Sequence, residues 1–531
     1  MIRDGKIWIA NNENGEPVYM LPKMANRHGL IAGATGTGKT VTVKVLAETF
    51  SEMGVPVFLA DVKGDLAGCC EAGLDSEDMQ KRIAKFGLAQ QGFGYKNYPV
   101  VFWDVFGQNG IQLRTTVSEM GPLLLSRILG LNDLQSDLLS IAFKLADDEG
   151  LLLVDTKDLK ALLNYMAENN KDLQAEYGNI SKASIAAIVR AIVALEIAGG
   201  ETFFGEPALN IGDFFNTNDG KGVINILDSR SLINNGTLYS TFLLWLLSEL
   251  FEMLPEVGDL EKPKMVFFFD EAHLLFNGSS KELLDKIEQV VKLIRSKGVG
   301  IYFCTQNPRD IPDGTLAQLS NKIEHGLHAY SPAEQKAVKA AAQSFRENPD
   351  FDTYDAILSL GTGEAIVSFL DEGGVPAVAE KTAILPPQSK MGSIDDGKRN
   401  SVIQGGVLYS KYATAVDPDS AYEFLERMGL KAQEEAEAAK QAEAEAKEQA
   451  AADKAAAKEK AAAEKAEAKK AEQEAKAKKR AVKSVGSTVA GTVGREVGKQ
   501  VGKNFGSFGK TLGGNLGASL GRGILSTLFK I

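Results

Sequence analysis

The chain of 531 residues has only three cysteines, Cys69, Cys70 and Cys304, too few for a disulfide framework at this size. Two are adjacent and the third falls in an apolar run, so they read as reduced core thiols of a cytosolic protein. No uncharged apolar run approaches 18 residues, which excludes a simple membrane-spanning helix, and the opening MIRDGKIWIA is too polar for a signal peptide. Positive charge is also scarce. Of the formal −11, residues 431–480 contribute +1 and residues 481–531 contribute +6, leaving about −18 on residues 1–430. A body this acidic does not advertise a nucleic-acid surface, although a basic pore lining can hide within an acidic total. No zinc spacing or helix-turn-helix signature stands out. His325 and His328, three apart with no third ligand nearby, read as structural.

What is present is a series of short Val/Ile/Phe-rich runs ending in polar residues: HGLIAG (28–33), VPVFLAD (55–61), PVVFWD (99–104), GVINILD (222–228), MVFFFDE (265–271) and VGIYFCTQ (299–306). Helical patterns separate them. Runs this apolar fit strands buried on both faces of a parallel sheet, and the alternation predicts an α/β, doubly wound core with its sites at the carboxyl ends of the strands. Residues 113–215 interrupt the alternation with helical spacing and predict an all-helical insertion, dividing the core into 1–112 and 216–385. Residues 322–331 and 361–371 predict further strands, and 386–430 extend the core beyond Leu385-Pro386-Pro387.

The chemistry concentrates in three places. Gly33-Ala34-Thr35-Gly36-Thr37-Gly38-Lys39-Thr40 fits the phosphate-loop pattern between a strand and a helix. Its glycines let backbone N–H groups close around phosphates, Lys39 reaches the outer phosphates of ATP, and Thr40 is placed to hold Mg²⁺. Asp270-Glu271 ends an apolar strand as the Walker B pattern requires: Asp270 for Mg²⁺ or its water, Glu271 for positioning and activating the attacking water. Gln306 ends the next strand, where a polar side chain can sense the terminal phosphate or simply cap the strand. Arg295 and Arg309 flank that strand and are candidates for an arginine finger, or else surface residues. Asp61-Val62-Lys63-Gly64-Asp65 follows the second strand at the same sheet edge; the aspartates suit metal or water and Lys63 a substrate contact, while a plain turn reads equally well. No LSGGQ-like signature precedes Asp270, which disfavours a transporter-type ATPase.

In this order, the phosphate loop, the D-x-K-G-D loop, SEMGPLLLSRILGLN, FFFDEAH and CTQNP resemble the HerA/FtsK superfamily of P-loop ATPases, and more narrowly the bacterial HerA-like DUF853 group. The likeness covers most of residues 1–430 and extends into the terminal LGRGILSTLF. It implies a RecA-like core, a hexameric ring with ATP sites between subunits, and translocation on or unwinding of DNA. By this resemblance Lys39 and Thr40 match the Walker A pair, Asp270 and Glu271 the Walker B pair, and Gln306 the sensor. Arg295 falls where relatives often carry an arginine ahead of the sensor strand. HerA itself carries an N-terminal β-barrel, for which the 32 residues before Gly33 are too few, and this argues against a nuclease partner. The alternative is an ATP-switched assembly or binding protein without translocase activity, acting through the helical insertion or the tail.

Residues 431–480 hold 21 Ala, 13 Lys or Arg and 12 Asp or Glu, predicting a solvated helix or spacer without a coiled-coil seam. In 481–531 an apolar–small pair recurs every four residues, from Val485-Gly486 to Leu520-Gly521 with one step of three, interrupted by Lys499, Lys503 and Lys510. That pattern suits either a disordered tail or a conditional helix that self-associates or lies on an anionic membrane, so the expected location is cytoplasmic with a peripheral membrane option.

Overall fold

The computed structural model describes residues 1–277 and 281–478; the glycine-rich tail and its repeat lie outside the described residues. Eleven strands of three residues or more build one mixed sheet: β1 (Lys6–Asn12), β2 (Pro17–Met20), β3 (Gly29–Ala32), β4 (Val57–Asp61), β5 (Val100–Asp104), β6 (Ile224–Asp228), β7 (Met265–Phe269), β8 (Val299–Thr305), β9 (Asn321–His325), β10 (Glu364–Ser368) and β11 (Glu380–Ile384). Their spatial order is β1-β11-β10-β9-β3-β8-β7-β4-β6-β5, with β2 paired to β1 and two-residue strands at Ile2–Arg3 and Ile111–Gln112 closing the ends. From β9 to β5 every neighbouring pair is parallel. The remaining strands form an antiparallel wing.

The parallel strands form where the sequence is apolar on both faces. All five residues of MVFFF in β7 and all seven of VGIYFCT in β8 are buried. Alternation across the pleat sorts their aromatics. Phe267, Phe269 and Phe303 stack on one face at centroid distances of 6.0 and 5.7 Å. Phe268 and Tyr302 stack at 5.1 Å on the other, against Phe50 of helix α1 (Lys39–Glu52). Each such side chain, fully buried, contributes about 1.5–3 kcal/mol, so the strands carrying the acidic pair and the glutamine are firmly packed on both faces.

The sequence pattern predicts the parallel strands and, in the wing, only β10, which falls within residues 361–371. β2 and β11 are only four and five residues long, and β1 runs into β2 with no helix between them, which removes the alternation signal. Between Gln112 and Thr217 the regular elements are helical: Val117–Ile128, Asp133–Glu149, Thr156–Glu168, Asn170–Tyr177 and Lys182–Ile197, with short 3₁₀ turns. The first begins with a reciprocal cap, the Thr116 hydroxyl accepting from Glu119 N at 3.1 Å and the Glu119 carboxylate from Thr116 N at 3.2 Å.

The chain forms two compact units. The first comprises Met1–Phe143, Leu153–Thr156 and Ile188–Pro418 and contains the whole sheet. The second contains Lys144–Leu152, Lys157–Ala187 and the described residues from Asp419 onward, so the compact units divide the helical span 113–215 between them. Within the second unit a 58-residue helix runs Ala421–Lys478, about 87 Å at 1.5 Å per residue. It starts ten residues before the Ala/Glu/Lys-rich stretch because Ser420 and Glu423 cap it: the carboxylate accepts from Ser420 N at 3.0 Å and from its hydroxyl at 2.7 Å. Lys157 pairs with Glu423 at 2.8 Å and draws its carboxyl down to about 2. No helix among the described residues is long and apolar enough to cross a membrane.

Candidate active site

The site assembles at the carboxyl ends of adjacent parallel strands, β3, β8, β7 and β4. Sheet register sets the alignment: Thr305 lies beside Ala32, and Phe269 beside Phe303. One residue further on, the chain releases Gly33 from β3, Gln306 from β8 and Asp270 from β7 along one edge, as expected for a parallel α/β sheet.

The phosphate loop needs glycine at its two ends. Gly33 has φ 147°, and a Cβ there would meet the His325 Cβ at 2.5 Å; Gly38 has φ 120° and would press on the Gly363 backbone at 3.2 Å. The loop is pinned from its flank by Ala34 N to Gly326 O at 2.9 Å and Gly363 N to Thr37 O at 2.8 Å. His325 braces it from beneath, one ring nitrogen 2.8 Å from the Thr42 hydroxyl and the other 2.8 Å from Glu364 O. Lys39 folds into the loop and donates to Gly33 O at 2.6 Å and Ala34 O at 3.0 Å. Burial and the nearby Lys63 charge lower its pKa. Thr40, at the start of α1, and Asp270 line the same small cavity, with Cys304 at its wall. A hydroxyl and a carboxylate facing one cavity beside a collapsed lysine are a donor set that fits Mg²⁺ with a phosphate chain.

Opposite the loop stands the acidic pair. Burial, reinforced by the charge of Glu271, raises the Asp270 carboxyl to about 6. Glu271 has φ 49°, a left-handed backbone at the strand end. Burial pushes its carboxyl up, but three contacts outweigh burial and hold it below the ordinary value. Lys63 lies 2.9 Å from one oxygen, the Gln306 amide donates to both at 3.2 and 3.3 Å, and His273 stands 3.4 Å away. The Gln306 carbonyl in turn accepts from the Thr35 hydroxyl at 3.2 Å. A continuous polar chain therefore runs from the D-x-K-G-D loop through Glu271 and Gln306 to the phosphate loop.

The other singled-out residues divide. Arg309 lies three residues past Gln306, exposed at this same edge. Arg295 precedes β8 and sits at the opposite, amino edge, about 20 Å away at 3.3 Å per residue, 3.8 Å from Asp259. Within one chain it is not brought to the loop. Asp61 is used locally: its carboxylate accepts from Gly64 N at 2.7 Å and Leu66 N at 3.0 Å, fixing the turn that presents Lys63.

Two features escape sequence reasoning. Asp228, at the end of β6, is gripped by Arg230 (2.6 Å) and by the buried Arg399 (3.3 Å); the strand-end rule applied to NILDSR would have marked it. Glu324 of β9, level with Ala32 and in the field of Lys39, is buried with its Oε1 lacking a hydrogen-bond partner among the described residues. Burial raises its carboxyl to about 8 from 4.5. A folded-state value above the unfolded one means stability falls as pH rises between the two. Glu324→Gln should therefore melt with wild type below pH 4.5, gain a lead of several degrees as pH rises to about 8, and hold it above; melting curves across that range check this.

Residues 6–512 match the model of the helicase HerA-like C-terminal family. A probable helicase of Methanocaldococcus jannaschii is 33% identical over 116 residues, 21% of this chain and 20% of that protein. The DNA double-strand break repair helicase HerA of Sulfolobus acidocaldarius is 31% identical over 99 residues, 18% of this chain and 19% of that protein. The chain thus spans about a fifth of the length of the curated relatives it matches. Among solved structures, VirB4 of Thermoanaerobacter pseudethanolicus gives a TM-score of 0.47 at 15% identity, over 72% of this chain and 97% of that one. The plasmid coupling protein TrwB in complex with ADP and Mg²⁺ gives 0.45 at 16%, over 71% and 88%. The family match extends over nearly the whole length, and the chain belongs to the helicase HerA-like C-terminal family.

Proposed function

We propose that the chain is an ATP-hydrolysing motor subunit, working in a homo-oligomeric ring, a hexamer by the family resemblance, that translocates on or unwinds duplex DNA. The observation that carries the hydrolytic part is the contact chain Glu271–Gln306–Thr35, which ties a strand-end carboxylate to the phosphate loop. The loop's backbone N–H groups and Lys39 bind the phosphate chain, Lys39 exchanging two loop carbonyls for phosphate oxygens. Thr40 and Asp270 are the residues that would hold Mg²⁺, which when bound neutralises phosphate charge and orients the reacting group. Glu271 orients a water and takes its proton as that water attacks the terminal phosphorus; the bond from that phosphorus to the bridging oxygen breaks and ADP leaves. Gln306, bonded to both Glu271 and the loop, transmits the presence of that phosphate to β8. Arg309 is placed at the same edge to offset charge in the transition state; Arg295, at the far edge, suits that role only toward a neighbouring copy.

The nucleic-acid part rests on kinship, since two relatives are named helicases and one of them is named for DNA double-strand break repair. ATP hydrolysis measured with and without duplex DNA tests it, and a rate raised severalfold by DNA is expected. An unchanged rate, together with ATP-dependent assembly seen by mass measurement, favours the ATP-switched assembly protein instead.

A further inference from the structure

Lys63 is the cation of this site that the hydrolytic roles above leave unassigned. Its ammonium lies 2.9 Å from a carboxylate oxygen of Glu271 and remains 41% exposed, whereas the Glu271 side chain is 7% exposed. The turn beneath it is rigid. Asp61 accepts from three backbone N–H groups of that turn, Lys63 N at 3.3 Å, Gly64 N at 2.7 Å and Leu66 N at 3.0 Å, and Gly64 holds φ 80° against Arg230. Backbone motion is thus restricted while four methylene torsions are free, so the ammonium can change partner without moving the loop.

Two observations indicate the second partner. Lys63 is tied through Glu271 and Gln306 to Thr35 of the phosphate loop, which places its ammonium at the same strand-end edge as Lys39. Lys39 is itself parked on the loop carbonyls. Meanwhile Glu271 is held by Lys63, Gln306 and His273 together, an arrangement that occupies the oxygens with which it must orient water. A terminal phosphate entering beside Asp270 and Glu271 adds negative charge to a cluster of acids, and an ammonium already facing that cluster is drawn to the stronger, less hydrogen-bonded anion.

We propose that Lys63 is a terminal-phosphate ligand that exchanges partners, bound to Glu271 without ATP and to the outermost phosphate with it. This rests on the reading of the site as an ATP hydrolase. The exchange has two consequences. Lys63 distinguishes a nucleoside triphosphate from a diphosphate, and its departure frees Glu271 for the attacking water only when a triphosphate is present. The residue differs from Lys39 in this respect, because Lys39 belongs to the loop that grips the phosphate chain in either nucleotide.

The test compares binding of ADP and of a non-hydrolysable ATP analogue, each with Mg²⁺, to the full chain and to Lys63→Met and Lys63→Arg, by calorimetry. In Lys63→Met the preference for the analogue over ADP should drop by about tenfold or more, with ADP affinity within about threefold of wild type. Lys63→Arg, which keeps the charge, should restore most of the preference. Melting curves show whether each variant is folded; if Lys63→Met is not, Lys63→Gln carries the same comparison. An analogue-to-ADP ratio unchanged in folded Lys63→Met overturns the proposal and leaves the hydrolase reading intact. Absence of nucleotide binding by the wild-type chain overturns the hydrolase reading and this proposal with it.

Discussion

Glu271→Gln should bind ATP and fail to turn it over. The substitution keeps the shape and both polar atoms of the side chain but removes its charge and its ability to take a proton. General-base assistance from a positioned side chain typically contributes about 10²–10⁴-fold, so kcat should fall by at least about a hundredfold in a phosphate-release assay. Binding should be retained, because the expected phosphate ligands, the loop N–H groups, Lys39 and Lys63, are all kept in the variant. The backbone at this position supports the expectation. Glu271 adopts φ 49°, which Gln tolerates about as well, and its N–H donates to Asp270 Oδ1 at 3.0 Å irrespective of side chain. The contact with Gln306 can persist as an amide pair, so the chain to Thr35 need not break. Turnover within tenfold of wild type, in a protein that still binds ATP, would remove Glu271 from the water-activating role.

How much of this site was readable in advance depends on the range of the interaction. The phosphate loop and the Asp-Glu pair are local signals: glycines before a helix start, and acids at the end of a five-residue apolar strand. Gln306 was readable for the same reason, as the first polar residue after seven buried ones. Contacts across strand ends were not readable. Thr35 and Gln306 are 271 residues apart and meet only because β3 and β8 are neighbours, an order that no residue pattern specifies. The Lys63–Glu271 pair depends likewise on β4 lying beside β7, so from sequence the D-x-K-G-D stretch could equally be a plain turn.

Direction along a strand was a different matter. Arg295 precedes β8 and Gln306 follows it, so a parallel strand must hold them at opposite edges, and this could have been deduced before any coordinates. The start of the long helix was also legible as Ser420-Ala-Tyr-Glu423, a capping-box spacing, but the change in composition at residue 431 is the louder signal. Apart from β10, which the sequence pattern did mark, the antiparallel wing offered neither composition nor periodicity, yet it matters for the site: β10 supplies Glu364, whose carbonyl fixes His325 under the loop.

Lys39→Ala should abolish the response to ATP while leaving the fold in place. Lys39 donates to two carbonyls of its own loop and is buried, so its ammonium is already largely removed from water. Moving it from carbonyl dipoles to phosphate anions therefore incurs little further dehydration, and most of the charge–charge attraction appears as binding. Deleting it removes that attraction and leaves Gly33 O and Ala34 O facing the site, where they repel phosphate oxygens. A loss of at least about a hundredfold in ATP affinity is expected, equivalent to about 2.7 kcal/mol. The fold should survive, because Gly33 and Gly38 set the loop's path through their φ angles and the loop stays pinned by Gly326 and Gly363. Thermal denaturation reads both parts at once. Wild type at an ATP concentration a hundred times its Kd gains about 2.7 kcal/mol and melts correspondingly higher. Lys39→Ala should melt near the nucleotide-free wild type and show almost no rise with ATP. A full ATP-induced rise in the variant would mean that the phosphates are held mainly by the backbone N–H groups of the loop, with Lys39 reserved for the transition state.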